Sequence, residues 1–180
     1  MSKIALVIGH TPSSPGAVGS LKISEYVFNN ELVQEILKHN GLDKGNEYKV
    51  FYRNPRLGYT FQMIELHEDI DAWGADVSIE LHFNGSNNPE VNGHEVLYTS
   101  KGGQEVAEAF DKQFDALLPN RDRNVKKVGL EDRGGGFICR GKSKAVILEP
   151  FFSSHQHLYV KDGEERANLV QAIVNTLSNL

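Results

Sequence analysis

The stretch Ile4-Ala5-Leu6-Val7-Ile8 carries no polar residue and is closed by Gly9. A strand with one solvated face alternates apolar and polar positions. A continuous run is what a strand buried on both faces requires, and such strands belong to parallel sheets covered by helices on either side. The downstream pattern supplies those helices. Ser24 offers an N-cap to a helix with Phe28, Leu32, Val33, Ile36 and Leu37 at helical spacing, and Gly41 reads as its C′ stop. Tyr48 to Tyr52 reads as a strand. Thr60 reads as the cap of a helix that turns Met63, Ile64, Ile70 and Trp73 inward and stops at Gly74.

Val77 to Phe83 alternates apolar residues with Ser78, Glu80 and His82, so this strand turns a polar face toward something specific. A short strand from Glu95 to Tyr98 follows, then a helix from Gln104 to Leu118, and a glycine- and charge-rich loop to about Gly136. Ala145 to Leu148 is the last strand, and a helix from about Glu164 to Leu177 closes the chain. The expected fold is α/β, a central mostly parallel sheet flanked by helices on both faces, in one domain over residues 1–180.

Composition removes several function classes. A net charge of -5 leaves no basic footprint for nucleic acid. The run from Ile4 to Ile8 falls far short of the roughly 20 residues that span a bilayer and is too short for a secretory apolar region, so no membrane insertion is expected. Cys139 is the one cysteine and reads as a small core thiol. Gly136 to Ser143 matches a phosphate loop formally. However, Ser143 leads into a strand, whereas such a loop must open a helix, which disfavours a nucleotide-binding protein.

In open α/β sheets the ligand crevice lies beyond the carboxyl ends of the strands. His10, His82 and Glu149 all fall just past or at such ends, and Glu25 opens the helix after the first strand. Two histidines and a carboxylate are the donor types of a catalytic zinc, which keeps a position open for water. Glu149 interrupts an apolar run, where an uncompensated charge is costly and a raised pKa suits acid/base work. The same residues have plainer readings. Glu25 fits a first-turn acid favoured by the helix dipole, and His10 and His82 fit ordinary strand-end histidines. Glu80, on the same strand face as His82, reads as a supporting or salt-bridged residue. His67 reads as a half-buried, hydrogen-bonded histidine and His94 as a rim residue. His155, His157, Arg133 and Arg140 carry no assignment.

The stretches Ile8-Gly9-His10, Ser24-Glu25-Tyr26, Ile79-Glu80-Leu81-His82-Phe83-Asn84 and Ala145-Val146-Ile147-Leu148-Glu149 resemble, in order and spacing, the N-acetylmuramoyl-L-alanine amidases of the zinc Amidase_3 family. Within it, Gly93 to Tyr98 and Asn120-Arg121 are similar to the catalytic domains of bacteriophage endolysins. The resemblance implies Zn2+ on His10, Glu25 and His82, with Glu149 catalytic. It also implies peptidoglycan as the partner, cleaved between N-acetylmuramic acid and L-alanine, with no obligate protein partner. The expected route is synthesis in a host cytoplasm without a signal peptide, followed by action on the cell wall. The family's Asp-Pro-Gly-His-Gly-Gly opening is here Val7-Ile8-Gly9-His10-Thr11-Pro12, and Pro150-Phe151-Phe152-Ser153-Ser154 follows Glu149. Both departures bear on the shape of the groove. The alternative function is a non-catalytic wall-binding module of the same fold.

Overall fold

The apolar run forms β1 (Lys3–Ile8), an inner strand whose side chains divide between two cores. The computed structural model describes every residue but Lys44 and Asn87. After β1 come α1 (Glu25–Lys38), β2 (Glu47–Tyr52), α2 (Tyr59–Trp73), β3 (Val77–Leu81) and β4 (His94–Tyr98). The chain continues through α3 (Lys101–Leu117), β5 (Asp122–Lys127), a one-turn α4 (Gly135–Ile138), β6 (Lys144–Glu149), a 3-10 segment (Ser153–Tyr159) and α5 (Glu164–Leu177).

The strands form one sheet in the order β2-β1-β3-β6-β4-β5. The pairs β1·β2, β1·β3, β3·β6 and β4·β5 are parallel, and β4 runs antiparallel to β6. Ile4, Leu6 and Ile8 of β1 pack with Ile79, Leu148, and the inner faces of α1, α3 and α5. Ala5 and Val7 face the other way, into a smaller core with Met63 and Ile70 of α2 and Phe137 of α4. Period-two alternation in a strand with helices on both faces thus requires an apolar residue at every position.

β3 departs from that rule on its smaller-core face. Ser78 is fully buried and accepts from Ser143 Oγ at 2.7 Å. Glu80, also buried, is paired with Arg53, which follows β2 and donates from Nε at 3.0 Å. The polar face read in the sequence is therefore satisfied from neighbouring segments, as a buried charge must be.

Several boundaries differ from expectation. α1 ends at Lys38, and His39 continues in an extended conformation with its N–H bonded to Ile36 O. Gly41 is consequently not a left-handed cap; its N–H donates to His39 Nδ1. Gly74 does take that role, at φ 77. The second helix starts at Tyr59 under a Gly58 cap that makes no side-chain bond, so Thr60 lies inside it. Ile64 is 37% exposed and does not face the core. The expected loop before Gly136 contains β5 and the start of α4, and β4 begins at His94, whose side chain is fully buried and not at a rim. Ser143 does run into β6. Among the described residues no helix is long and apolar enough to cross a membrane.

Ile79, fully buried in the middle of β3, tests the larger core. Ile79→Ala is expected to destabilise the protein by about 3 kcal/mol, the usual loss for emptying a tightly packed aliphatic site, measured by urea unfolding.

Candidate metal centre and active site

β1 ends at Ile8, and Gly9 carries the chain past the neighbouring strand by donating to Leu81 O at 3.1 Å. A Cβ at position 9 would lie 2.6 Å from the His82 ring, so only glycine lets the two strand ends meet this closely. His10 follows in the left-handed region at φ 68, a conformation uncommon outside glycine. Its ring lies edge-on to that of His82, with centroids 4.9 Å apart.

Glu25 enters from the first turn of α1, where Ser24 is the N-cap. It is 1% exposed. One oxygen, Oε1, accepts from Phe83 N at 3.1 Å and lies 2.7 Å from His82 Nδ1. The other, Oε2, accepts from Ala17 N at 3.1 Å and lies 3.1 Å from His10 Nε2. Gly16 closes over this pair at φ +79, and a Cβ there would sit 2.6 Å from Glu25 Oε2. Burial pushes the Glu25 carboxyl up. The hydrogen bonds and charges of the two histidines outweigh it and hold the group well below the usual carboxylate range. Glu25 thus keeps a first-turn position while its two oxygens face both histidines.

His82 is gripped on its second nitrogen as well, with Nε2 3.1 Å from Glu80 Oε2. Burial disfavours its charged form, but the Glu80 charge and the bonds to Glu25 and Glu80 prevail and push it up to about 10. Asn29 Nδ2 donates to Leu81 O at 3.1 Å, tying α1 to the end of β3. His10, Glu25 and His82 each offer a ligand atom within 4.8 Å of the others.

Glu149, the last residue of β6, shares a cavity of about 550 Å³ with His10 and His82. It is 2% exposed, and its Oε2 is buried without a hydrogen-bond partner. Arg133, from the glycine-rich loop, stands 3.5 Å from Oε1. Across the antiparallel pair, Glu149 faces Glu95, whose charge is met by Arg123 and Lys126. Burial raises the Glu149 carboxyl to about 7, with His82 and Arg133 pulling against it and the charges of Glu25 and Glu95 adding to it. A second hollow shares Arg133, Leu97 and Glu149 with the first, so the groove extends to both sides of Glu149.

The four residues singled out in the sequence therefore meet at one place. Arg133, Arg53 and Tyr59 also line the cavity; of these the sequence drew attention only to Arg133, as a fork suited to a carboxylate, and gave it no assignment. Glu80 is salt-bridged, as read. His67 is buried against Phe137 with neither nitrogen hydrogen-bonded, contrary to its reading. Cys139 is half-buried, its thiol directed at Val128 O.

Fold and site together define an α/β domain that gathers two histidines and a carboxylate at its strand ends, beside a cavity lined by a further buried carboxylate. The family model described as N-acetylmuramoyl-L-alanine amidase matches residues 4–179, and the chain belongs to that family. Its fold is shared with the catalytic domain of CwlV, an N-acetylmuramoyl-L-alanine amidase from Bacillus (Paenibacillus) polymyxa var. colistinus, at 21% identity and a TM-score of 0.81, covering 99% of this chain and 97% of that one. The catalytic domain of the CD27L endolysin, described as targeting Clostridia difficile, is similar at 23% identity and a TM-score of 0.78, covering 99% and 98%. An N-acetylmuramoyl-L-alanine amidase from Clostridium difficile 630 is similar at 17% identity and a TM-score of 0.77, covering 99% and 95%. No curated protein sequence matches the chain.

The raised carboxyl of Glu149 has a sign that can be measured. Its folded value of about 7 lies above the ordinary 4.5. The fold thus tolerates the neutral form, and the stability tied to it is complete below pH 4.5 and lost as pH rises through 7. In metal-free protein, Glu149→Gln is expected to match the parent near pH 4 and to exceed it at pH 9 by about 3 kcal/mol. Urea unfolding in chelator at both pH values measures this. A difference independent of pH would mean that Glu149 titrates normally.

Proposed function

We propose that the chain hydrolyses the amide between the lactyl group of N-acetylmuramic acid and L-alanine in peptidoglycan, with zinc on His10, Glu25 and His82 and Glu149 as acid/base. The observation that carries the reading is a fully buried carboxylate held between two histidines, beside a cavity shared with a second buried carboxylate that has an unpartnered oxygen.

The donor set fits the ion. Two imidazoles and one carboxylate, with room left for a further ligand, are the chemistry of a catalytic zinc site. His82 supports this further. Its Nε2–H can donate to Glu80, itself anchored by Arg53, while Nδ1, which faces Glu25 Oε1 at 2.7 Å, would give up its proton to a bound metal. Histidine ligands of zinc are commonly oriented by such a carboxylate, which also raises their basicity. Zinc bound here supplies the Lewis acidity that polarises a carbonyl and makes a water nucleophilic near neutral pH.

The protein's own residues do the rest. Glu149, whose carboxyl burial pushes up, takes a proton from the attacking water through Oε2 and returns it to the departing L-alanine nitrogen. Arg133 occupies the Oε1 side and leaves Oε2 to the reaction. Standing 64% exposed, its guanidinium also offers a fork for a stem-peptide carboxylate. The local likeness of Gly93 to Tyr98 and of Asn120-Arg121 to endolysin catalytic domains supports a role as a phage lysin, made in the host cytoplasm and released to the wall.

Two expectations separate the roles. His10→Ala and His82→Ala lose the zinc of this site and melt at lower temperature, because ligation contributes to folding free energy. Glu149→Ala keeps zinc and loses turnover by at least about a hundredfold, the scale of general acid/base catalysis. Metal content and dye release from labelled walls read both effects. Mass spectrometry of digested peptidoglycan tests the bond itself. Free stem peptides beginning with L-alanine, abolished by chelation and restored by Zn2+, are expected. Ends from another bond would overturn the substrate assignment, and wall binding without any cleavage would make the chain a binding module.

A further inference from the structure

A second group of donors lies where α3 meets the starts of β4 and β5. His94 is fully buried there, and its Nδ1 stands 2.8 Å from Asn120 Oδ1. The amide of Asn120 is oriented by its own nitrogen, which donates to Pro150 O at 2.7 Å and to the Tyr159 hydroxyl at 3.2 Å. Asn120 Oδ1 is therefore the acceptor, and His94 Nδ1 carries the proton. In the neutral ring this leaves Nε2 as a bare lone pair.

That nitrogen has no hydrogen-bond partner, yet it faces three carboxylates: Asp115 Oδ1 at 3.4 Å, Asp111 Oδ1 at 3.7 Å and Asp122 Oδ1 at 3.8 Å. Asp111 Oδ1 is likewise buried and without a hydrogen-bond partner. Among the described residues, His94 is the only basic group within ion-pair distance of these three carboxylates. Buried acceptors facing one another with no donor between them are costly and rare.

At His94 the spacing is too long for a direct hydrogen bond and open enough for an ion. A direct N–H···O bond brings the heavy atoms to roughly 2.7–3.2 Å. Two ligands bound at about 2.0–2.1 Å around a common tetrahedral ion lie about 3.3–3.4 Å apart. The separations from His94 Nε2 exceed the first range, and the shortest of them matches the second. His94, Asp115 and Asp122 also offer ligand atoms within 4.8 Å of one another.

We propose that His94, Asp115 and Asp122, with Asp111 beside them, form a second site for a divalent first-row transition-metal ion, separate from the His10, Glu25 and His82 group. One imidazole with carboxylates suits Zn2+ or Mn2+, whereas an all-oxygen set would suit Ca2+ or Mg2+. Asp111 and Asp115 come from α3, and His94 and Asp122 from the first residues of β4 and β5. An ion here clips the helix to the sheet edge. Through Asn120, the bonded chain reaches the carbonyl of Pro150, the residue after Glu149.

Equilibrium dialysis against Zn2+ with metal analysis, on four forms of the full chain, tests this independently of activity. The parent is expected to hold two equivalents, Asp111→Asn/Asp115→Asn one, His10→Ala/His82→Ala one, and the quadruple variant none. In the His10→Ala/His82→Ala background, Zn2+ is also expected to raise the melting temperature by several degrees, a gain that the added Asn substitutions abolish. Asn keeps the shape of Asp and relieves like charge, and the half-exposed Asp115→Asn alone should already weaken binding at least tenfold. If Asp111→Asn/Asp115→Asn holds as much zinc as the parent, the second site does not exist. If the parent holds one equivalent and loses it only in that variant, the second site stands and the first assignment fails.

Discussion

Glu25 is a buried carboxylate that draws three separate segments to its place on α1. Its two oxygens take the backbone of Ala17 and Phe83 and the rings of His10 and His82. An ionised carboxylate in an apolar interior is unfavourable unless each lone pair is met. The loop before α1 and the ends of β1 and β3 are therefore held at fixed positions by a single side chain. Gly9 and Gly16 are consequences of this arrangement, since a side chain at either position would collide with the ring or carboxylate it closes over.

The second carboxylate gains its character from the opposite treatment. Glu25 is surrounded by donors and held ionised, whereas Glu149 is buried with one oxygen unpartnered and only a distant guanidinium beside the other. Glu149, which lines the cavity, and Glu25, which does not, are thereby pushed in opposite directions. Such a division suits the two residues to the proposed roles of fixed charge and proton carrier without changing the residue type. Glu95, next to Glu149 on the neighbouring strand, sharpens the contrast, because Arg123 and Lys126 keep it ionised and its charge opposes ionisation of Glu149.

What could be read in the sequence was whatever burial writes into side-chain pattern. β1 announced itself because both of its faces are covered, and the bounds of α5 were legible for the same reason. β5, with the sequence Asp-Arg-Asn-Val-Lys-Lys, was not, since an edge strand held by backbone bonds to β4 needs no apolar alternation. The Gly58 cap was equally silent, because no side chain takes part in it. For the site, residue types and strand-end positions pointed to His10, His82 and Glu149, whereas Glu25 was indistinguishable from a dipole-favoured acid by pattern alone and was singled out only by the family resemblance. Arg133 lies in a glycine-rich loop whose path across the cavity only the fold determines. His94 looked like a rim residue because the strand it begins was read one position short.

The most direct test of this account is anomalous diffraction at the zinc edge from crystals grown with Zn2+. The account predicts a peak bonded to His10, Glu25 and His82, with Glu149 nearby but not a ligand. A peak ligated by Glu149 in place of Glu25, or no peak among these residues, would contradict it.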